Sequence, residues 1–79
     1  QTINFNQINN FVSKYNLKYE DLKENEMFEK KIFNKSKGNL KLLNIGEPSS
    51  KINIEISYAS KKAIEKIEKM GGKVKLLNQ

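Results

Sequence analysis

The chain has 79 residues and a formal net charge of +6, and it contains neither histidine nor cysteine. A chain of this length forms one small domain with a modest core. Without histidine and cysteine it lacks the commonest general base, the strongest nucleophile and the thiolate metal ligands. We therefore expect no enzyme activity, no catalytic residue, no cofactor or metal site and no small-molecule substrate. The sequence has no run of 18 apolar residues, so it predicts no contact with a membrane.

The excess positive charge lies in the second part of the chain. Residues 1–34 carry five lysines and five acidic residues, whereas residues 35–79 carry ten lysines and four acidic residues. A one-sided positive charge on a small domain indicates a polyanionic partner, and nucleic acid is the leading candidate. All the basic residues are lysines. Because lysine binds phosphate as a mobile point charge and lacks the planar fork of arginine, we expect contacts with the phosphate backbone rather than base recognition.

The first predicted elements are a short strand and an amphipathic helix. Residues 2–5 alternate between polar and apolar side chains, as in a strand, and Asn6 can cap the helix that follows. The apolar stripe of this helix has spacings of three and four residues and consists of Ile8, Phe11, Val12 and Tyr15. Asn16 suits the left-handed conformation that ends a helix. Residues 19–28 predict a weaker second helix with two acidic residues near its positive end.

The middle of the chain is predicted to contain a basic connection and two strands. Residues 30–39 form the connection, with Ile32 and Phe33 as apolar anchors. Residues 40–45 predict a strand, and a turn that contains the only proline follows it. The second strand, residues 52–57, is clearer because three isoleucines alternate with polar residues.

The most informative segment is a basic helix followed by a strand. Ser60 can cap the helix, Gly71 can end it, and residues 73–77 predict the strand. The apolar face of the helix consists of Ala63, Ile64, Ile67 and Met70. At 100° per residue, a ridge of three lysines with one acidic residue among them lies beside this face: Lys62, Lys66 and Lys69, with Glu65. An ordinary solvated surface has the same pattern, so the helix alone does not establish a binding site.

The spacing of small and aliphatic residues in the second part of the chain is typical of one family. These residues are Lys41-Leu42-Leu43, Gly46, Ile52, Ile54, Ser60, Ala63, Ile67 and Gly71. Their order resembles that of the C-terminal domain of large-subunit ribosomal protein fifteen in its bacterial-type form. Upstream, residues 3–9 are similar to the strand and turn that open the globular domain of the family.

The resemblance implies an α/β fold, a small irregular superhelix of short strands and helices, as in ribosomal proteins fifteen and eighteen-e. It also implies that residues 1–79 form a single globular domain that binds ribosomal RNA of the large subunit and neighbouring ribosomal proteins. The basic, glycine-rich N-terminal arm of the family is not in this sequence. Because the chain begins with Gln1, we expect it to be a fragment that lacks this arm. The implied location is the ribosome, in the bacterial cytoplasm or in a mitochondrion or plastid with bacterial-type ribosomes.

Differences from the family pattern decide where we expect RNA contacts. In the strand before the last helix the family often carries lysine and histidine, where this sequence has Glu55 and Ser57. We therefore assign the contacts to five lysines in or beside loops, Lys35, Lys37, Lys51, Lys61 and Lys62. Tyr58 can stack on a base, although a tyrosine beside a strand of isoleucines more often belongs to the core or its rim.

The alternative hypothesis is a protein–protein interaction module. Aromatic residues at helical spacing within residues 8–28 can present a surface to a partner: Phe11, Tyr15, Tyr19 and Phe28. Such a stripe is more often part of the core. A partner that stays bound after nuclease treatment and high salt would favour protein contacts, whereas its loss would favour RNA.

Overall fold

A computed structural model describes residues 1–78, and within them it contains six short strands and three α-helices. The strands are β1 (Thr2–Asn4), β2 (Leu22–Lys23), β3 (Lys41–Leu43), β4 (Asn53–Ile56), β5 (Tyr58–Ala59) and β6 (Lys73–Leu76). The helices are α1 (Phe5–Lys14), α2 (Glu24–Glu29) and α3 (Lys61–Lys69). Single turns of 3-10 helix cover Tyr19–Asp21 and Lys35–Lys37. The predicted α/β fold of short strands and helices is confirmed.

The strands form two parallel sheets and belong to them alternately along the chain. Sheet A has the order β1-β3-β5, and sheet B has the order β2-β4-β6. Parallel neighbours cannot be joined by a tight hairpin. Here each crossover within one sheet includes a strand of the other sheet, so the backbone winds back and forth between them. This winding agrees with the expected irregular superhelix.

The core contains the inward-facing residues of both sheets and the apolar faces of the helices. Ile3 lies beside Leu42 in sheet A, and Leu22 lies beside Ile54 in sheet B. The buried hydrophobic residues are Ile3, Phe5, Ile8, Leu17, Leu22, Met27, Leu40, Leu42, Ile52, Ile54, Ile56, Ala63 and Ile67. The alternating isoleucines therefore face the core, as predicted. None of the helices in residues 1–78 has the length and apolar character needed to cross a membrane.

Helix α1 has the predicted apolar stripe but begins earlier than expected. The cap is Asn4, not Asn6: the Asn4 Oδ1 accepts a hydrogen bond from the Gln7 N–H, and the Gln7 Oε1 accepts one from the Asn4 N–H, both at 2.9 Å. This reciprocal pair satisfies two backbone donors and fixes the helix start. At the other end, Asn16 has the predicted left-handed conformation, with φ 55°.

The prediction of one helix over residues 19–28 was partly wrong. A 3-10 turn is followed by the extended pair Leu22–Lys23, and α2 begins only at Glu24. Leu22 is 2% exposed and pairs with Ile54 of β4. Since a strand position in sheet B buries this leucine, tertiary pairing overrides the weak helical pattern.

Helix α3 begins and ends as predicted. The Ser60 hydroxyl oxygen accepts a hydrogen bond from the Ala63 N–H at 3.2 Å. Gly71 has φ 85°, and the Gly72 N–H donates to the Ile67 carbonyl oxygen at 2.9 Å, which closes a Schellman motif. One prediction was wrong: Met70 is 40% exposed, because the helix ends before it and its side chain lies outside the core.

Candidate nucleic-acid interface

Two of the predicted contact residues lie together at the start of α3. Lys61 and Lys62 are exposed and follow directly after the Ser60 cap. The Ser60 N–H donates to the Leu42 carbonyl oxygen at 2.9 Å, which fixes this helix end against sheet A. The two exposed lysines therefore lie at the corner where the carboxyl end of β5 meets α3.

The lysine ridge continues along α3 from this corner. Three lysines and an acidic residue line a shallow depression together with Asn44: Lys62, Lys66 and Lys69, with Glu65. The predicted arrangement on one flank of the helix is therefore present. Lys66 is half-buried and forms an ion pair with Glu47, so part of its charge is balanced within the domain. Lys62 and Lys69 are exposed.

The other predicted lysines lie elsewhere. Lys35 and Lys37 belong to a 3-10 turn beside the amino end of sheet A, where the Gln1 side-chain amide donates to the carbonyl oxygens of Asn34 and Gly38, each at 2.7 Å. Lys51 precedes β4, and its side chain passes beside Gly71 at the carboxyl end of α3. The predicted residues thus form two pairs at opposite ends of sheet A, with Lys51 apart from both.

Four exposed lysines on strands were missed by the sequence reasoning. Lys41 is on the outer face of sheet A, and Lys23, Lys73 and Lys75 are on the outer face of sheet B. The last two alternate with half-buried Val74 and Leu76. This alternation was visible in the sequence and could have placed them on one solvent-facing side.

The outer face of sheet B carries an acidic residue at its centre. Glu55 lies between Lys23 and Lys75 in the strand register, and Asn53 lies beside Lys73. These side chains line a shallow open depression on the sheet. Because Glu55 lies between two of its three lysines, this face is less positive than its lysine content alone would indicate.

The aromatic residues of the alternative hypothesis pack within the domain. Half-buried Phe11, Tyr15, Tyr19 and Phe28 contact the core. The Phe11 ring packs edge-on against Tyr15 and Phe33, with centroid distances of 5.9 and 5.7 Å. The predicted anchors Ile32 and Phe33 also contact the core. Internal packing accounts for the helical spacing of these side chains.

Comparison with known proteins finds relatives among large ribosomal subunit proteins. The large ribosomal subunit protein uL15 of Pelagibacter ubique is 36% identical over 75 residues, which cover 94% of this chain and 49% of that protein. The uL15 proteins of Bradyrhizobium diazoefficiens and Afipia carboxidovorans are 50% and 48% identical over 46 residues, or 58% of this chain and 29% and 28% of theirs. The chain thus spans at most about half the length of these relatives.

A family model covers nearly the whole chain. The family that unites the ribosomal proteins 50S-L15 and 50S-L18e with their counterpart in the 60S subunit matches residues 2–75. This match confirms the resemblance found in the sequence and the interpretation of the protein as a non-enzyme. The chain belongs to this family of ribosomal proteins.

Proposed function

We propose that this chain is a structural part of the large ribosomal subunit and binds ribosomal RNA through contacts between lysines and phosphates. The observation that carries the proposal is membership in a ribosomal protein family, in a domain that carries a net charge of +6. Each phosphate neutralised by a lysine releases condensed counterions. Binding is therefore expected to weaken steeply as salt increases.

The proposed contacts are the five lysines chosen from the sequence, Lys35, Lys37, Lys51, Lys61 and Lys62. Their exposure supports this assignment, because an ammonium group in solvent can reach a phosphate without breaking internal structure. We add Lys62's ridge neighbour Lys69, which is exposed on the same flank of α3.

The proposed location is the ribosome, in the bacterial cytoplasm or in an organelle with bacterial-type ribosomes. The bacterial relatives support the first of these locations. Neighbouring ribosomal proteins are the remaining proposed partners. The edges of the two short sheets and the exposed Ile45, Met70 and Leu77 offer surface for such contacts.

The proposal is tested by measuring RNA affinity against salt concentration. In a filter-binding titration with large-subunit ribosomal RNA, Lys61→Glu with Lys62→Glu is expected to weaken binding. It should also reduce the slope of log affinity against log salt by about 0.7 to 0.9 for each lost phosphate contact. The melting temperature should not fall, because acidic residues are favourable at a helix N-terminus.

A matched control makes the same change of charge within residues 1–34, where lysines and acidic residues are equal in number. Lys14→Glu with Lys18→Glu also exchanges two exposed lysines, and it is expected to reduce affinity less. Equal effects of the two double variants would mean that only net charge matters and would reject the assigned positions. If the unaltered chain neither binds this RNA nor cosediments with large ribosomal subunits, the proposed function is wrong.

A further inference from the structure

We propose that an unpaired RNA base stacks on the ring of Tyr58 and that Lys41 binds the phosphate beside it. This inference rests on the proposed RNA-binding function and specifies which feature of the RNA is recognised. It also assigns a role to two exposed residues of sheet A that the lysine–phosphate proposal does not use.

The strand register brings the two side chains together. Lys41 of β3 is paired with Tyr58 of β5, and Thr2 of β1 is paired with Lys41 on the other side. Paired residues of adjacent strands point to the same face of a sheet. The next row along these strands includes the buried Ile3 and Leu42, so the row of Thr2, Lys41 and Tyr58 faces outward.

The tyrosine is exposed and its position is restrained. Tyr58 is 42% exposed, although most large apolar side chains of the domain are buried or half-buried. Its hydroxyl group is hydrogen-bonded to the side-chain amide of Asn78, beyond the end of β6. A ring held at its backbone by a strand and at its hydroxyl by a neighbouring segment loses little further freedom when a base stacks on it.

The position of this row between two lysine groups favours RNA as the occupant. The turn with Lys35 and Lys37 lies at the amino end of sheet A, and Lys61 and Lys62 follow the carboxyl end of β5. A strand of three residues spans about 10 Å. A nucleotide chain that runs along the sheet would therefore meet lysines before and after Tyr58, and a polyanion complements this charge.

The exposed outer face of sheet A favours an unpaired base over a base within a duplex. In a duplex the faces of the bases are covered by stacking, and sequence-specific recognition of RNA mostly uses loops, bulges and ends. An aromatic side chain on a sheet with lysines beside it can hold a splayed base and its phosphate at the same time. The lysines bind both single-stranded and duplex RNA, whereas the ring of Tyr58 stacks only on an unpaired base.

The test compares single-stranded oligoadenylate containing 2-aminopurine with an RNA duplex of the same length. Binding of the full chain to the single strand should change the 2-aminopurine fluorescence. Tyr58→Leu keeps an apolar strand residue and is expected to weaken single-strand binding by about 5- to 150-fold, with less than about two-fold effect on the duplex. Tyr58→Phe keeps the ring and loses only its hydrogen bond to Asn78, so it should bind the single strand more tightly than Tyr58→Leu does. Circular dichroism and the melting temperature verify that each variant is folded.

The outcomes separate this inference from the proposed function. If lysine variants reduce binding but Tyr58→Leu leaves single-strand binding unchanged, stacking is rejected while the RNA-binding function stands. That result is also expected if this face contacts a protein. If Tyr58→Phe binds the single strand as weakly as Tyr58→Leu, the ring itself contributes nothing to binding, which also rejects stacking. If the unaltered chain binds neither of these RNAs, stacking is rejected, and the RNA-binding function is rejected as well if the chain also fails to bind large-subunit ribosomal RNA.

Discussion

The buried carboxylate of Glu24 accepts two hydrogen bonds from Ser57, one from the backbone N–H at 3.2 Å and one from the hydroxyl group at 2.7 Å. Ser57 is the residue at which the chain leaves sheet B and enters sheet A. Ile56 and Ser57 are both buried, so the alternation of the strand is broken at this point. The same carboxylate accepts a hydrogen bond from the Leu40 N–H, just before β3, at 2.9 Å. One side chain therefore satisfies buried donors at the junction of the two sheets.

Replacing Glu24 by alanine should destabilise the domain strongly. The substitution would leave the N–H groups of Leu40 and Ser57 buried without an acceptor, and each such group costs about 1–3 kcal/mol. We expect the free energy of unfolding to fall by about 2–5 kcal/mol, measured by urea denaturation. Ser57→Ala removes only the hydroxyl bond and should cost about 1 kcal/mol. Equal losses for the two variants would contradict the assigned role of the carboxylate.

Gly72 is expected to tolerate a side chain less well than the glycine before it. A Cβ atom on Gly72 would lie 1.9 Å from the Ile52 carbonyl oxygen and 2.9 Å from the Ile67 Cγ2. The first contact is with backbone, so Gly72→Ala would push β6 away from β4, at a cost of about 3 kcal/mol or more.

Gly71→Ala provides the control for this prediction. Its Cβ atom would have only the Lys51 Cδ nearby, at 3.6 Å, so the cost arises from the left-handed conformation and should be about 1–2 kcal/mol. In thermal unfolding, Gly72→Ala should therefore have a lower melting temperature than Gly71→Ala. The reverse order would show that backbone conformation, and not close packing, governs this turn.

Local patterns in the sequence were sufficient to predict α1, α3 and the isoleucine strand. The left-handed ends at Asn16 and Gly71 were also predictable, because a helix end is determined by a few adjacent residues. The parallel pairing of Leu22 with Ile54 could not be predicted from the sequence. The pattern of two extended residues is too short to indicate a strand, and the partner of Leu22 lies 32 positions away. For the same reason Glu24 could not be identified as a buried acceptor.

The lysines of α3 could be grouped from the sequence, whereas the lysines of the strands and loops could be counted but not grouped. Lys61 and Lys62 lie together because they are adjacent on one helix. The proximity of Lys41 to Tyr58 depends on the register of β3 and β5. This topology decides which charges from different strands and helices share a face of the domain. A local sequence pattern does not contain that information.

Ile67 should contribute more to stability than an isoleucine outside the core. Its side chain is 0% exposed and belongs to the core, on the buried face of α3. Ile67→Ala is expected to cost about 2–5 kcal/mol, whereas a domain of this size has a total stability of about 4–12 kcal/mol. Ile45 is 51% exposed, and Ile45→Ala should change stability by less than about 0.5 kcal/mol. Similar urea midpoints for the two variants would show that the buried face of α3 is wrongly assigned.

Glu55→Gln tests whether RNA also approaches the outer face of sheet B. The substitution keeps the side-chain shape but removes the negative charge between Lys23 and Lys75. If RNA phosphates lie near this face, affinity should rise by about two- to five-fold at low salt, and the gain should shrink as ionic strength increases.

Glu20→Gln makes the same change of net charge at a position within residues 1–34, where lysines and acidic residues are equal in number. A larger gain for Glu55→Gln than for Glu20→Gln would place phosphates at sheet B. Equal gains would reflect net charge alone, and unchanged affinity for Glu55→Gln would restrict the interface to sheet A and α3.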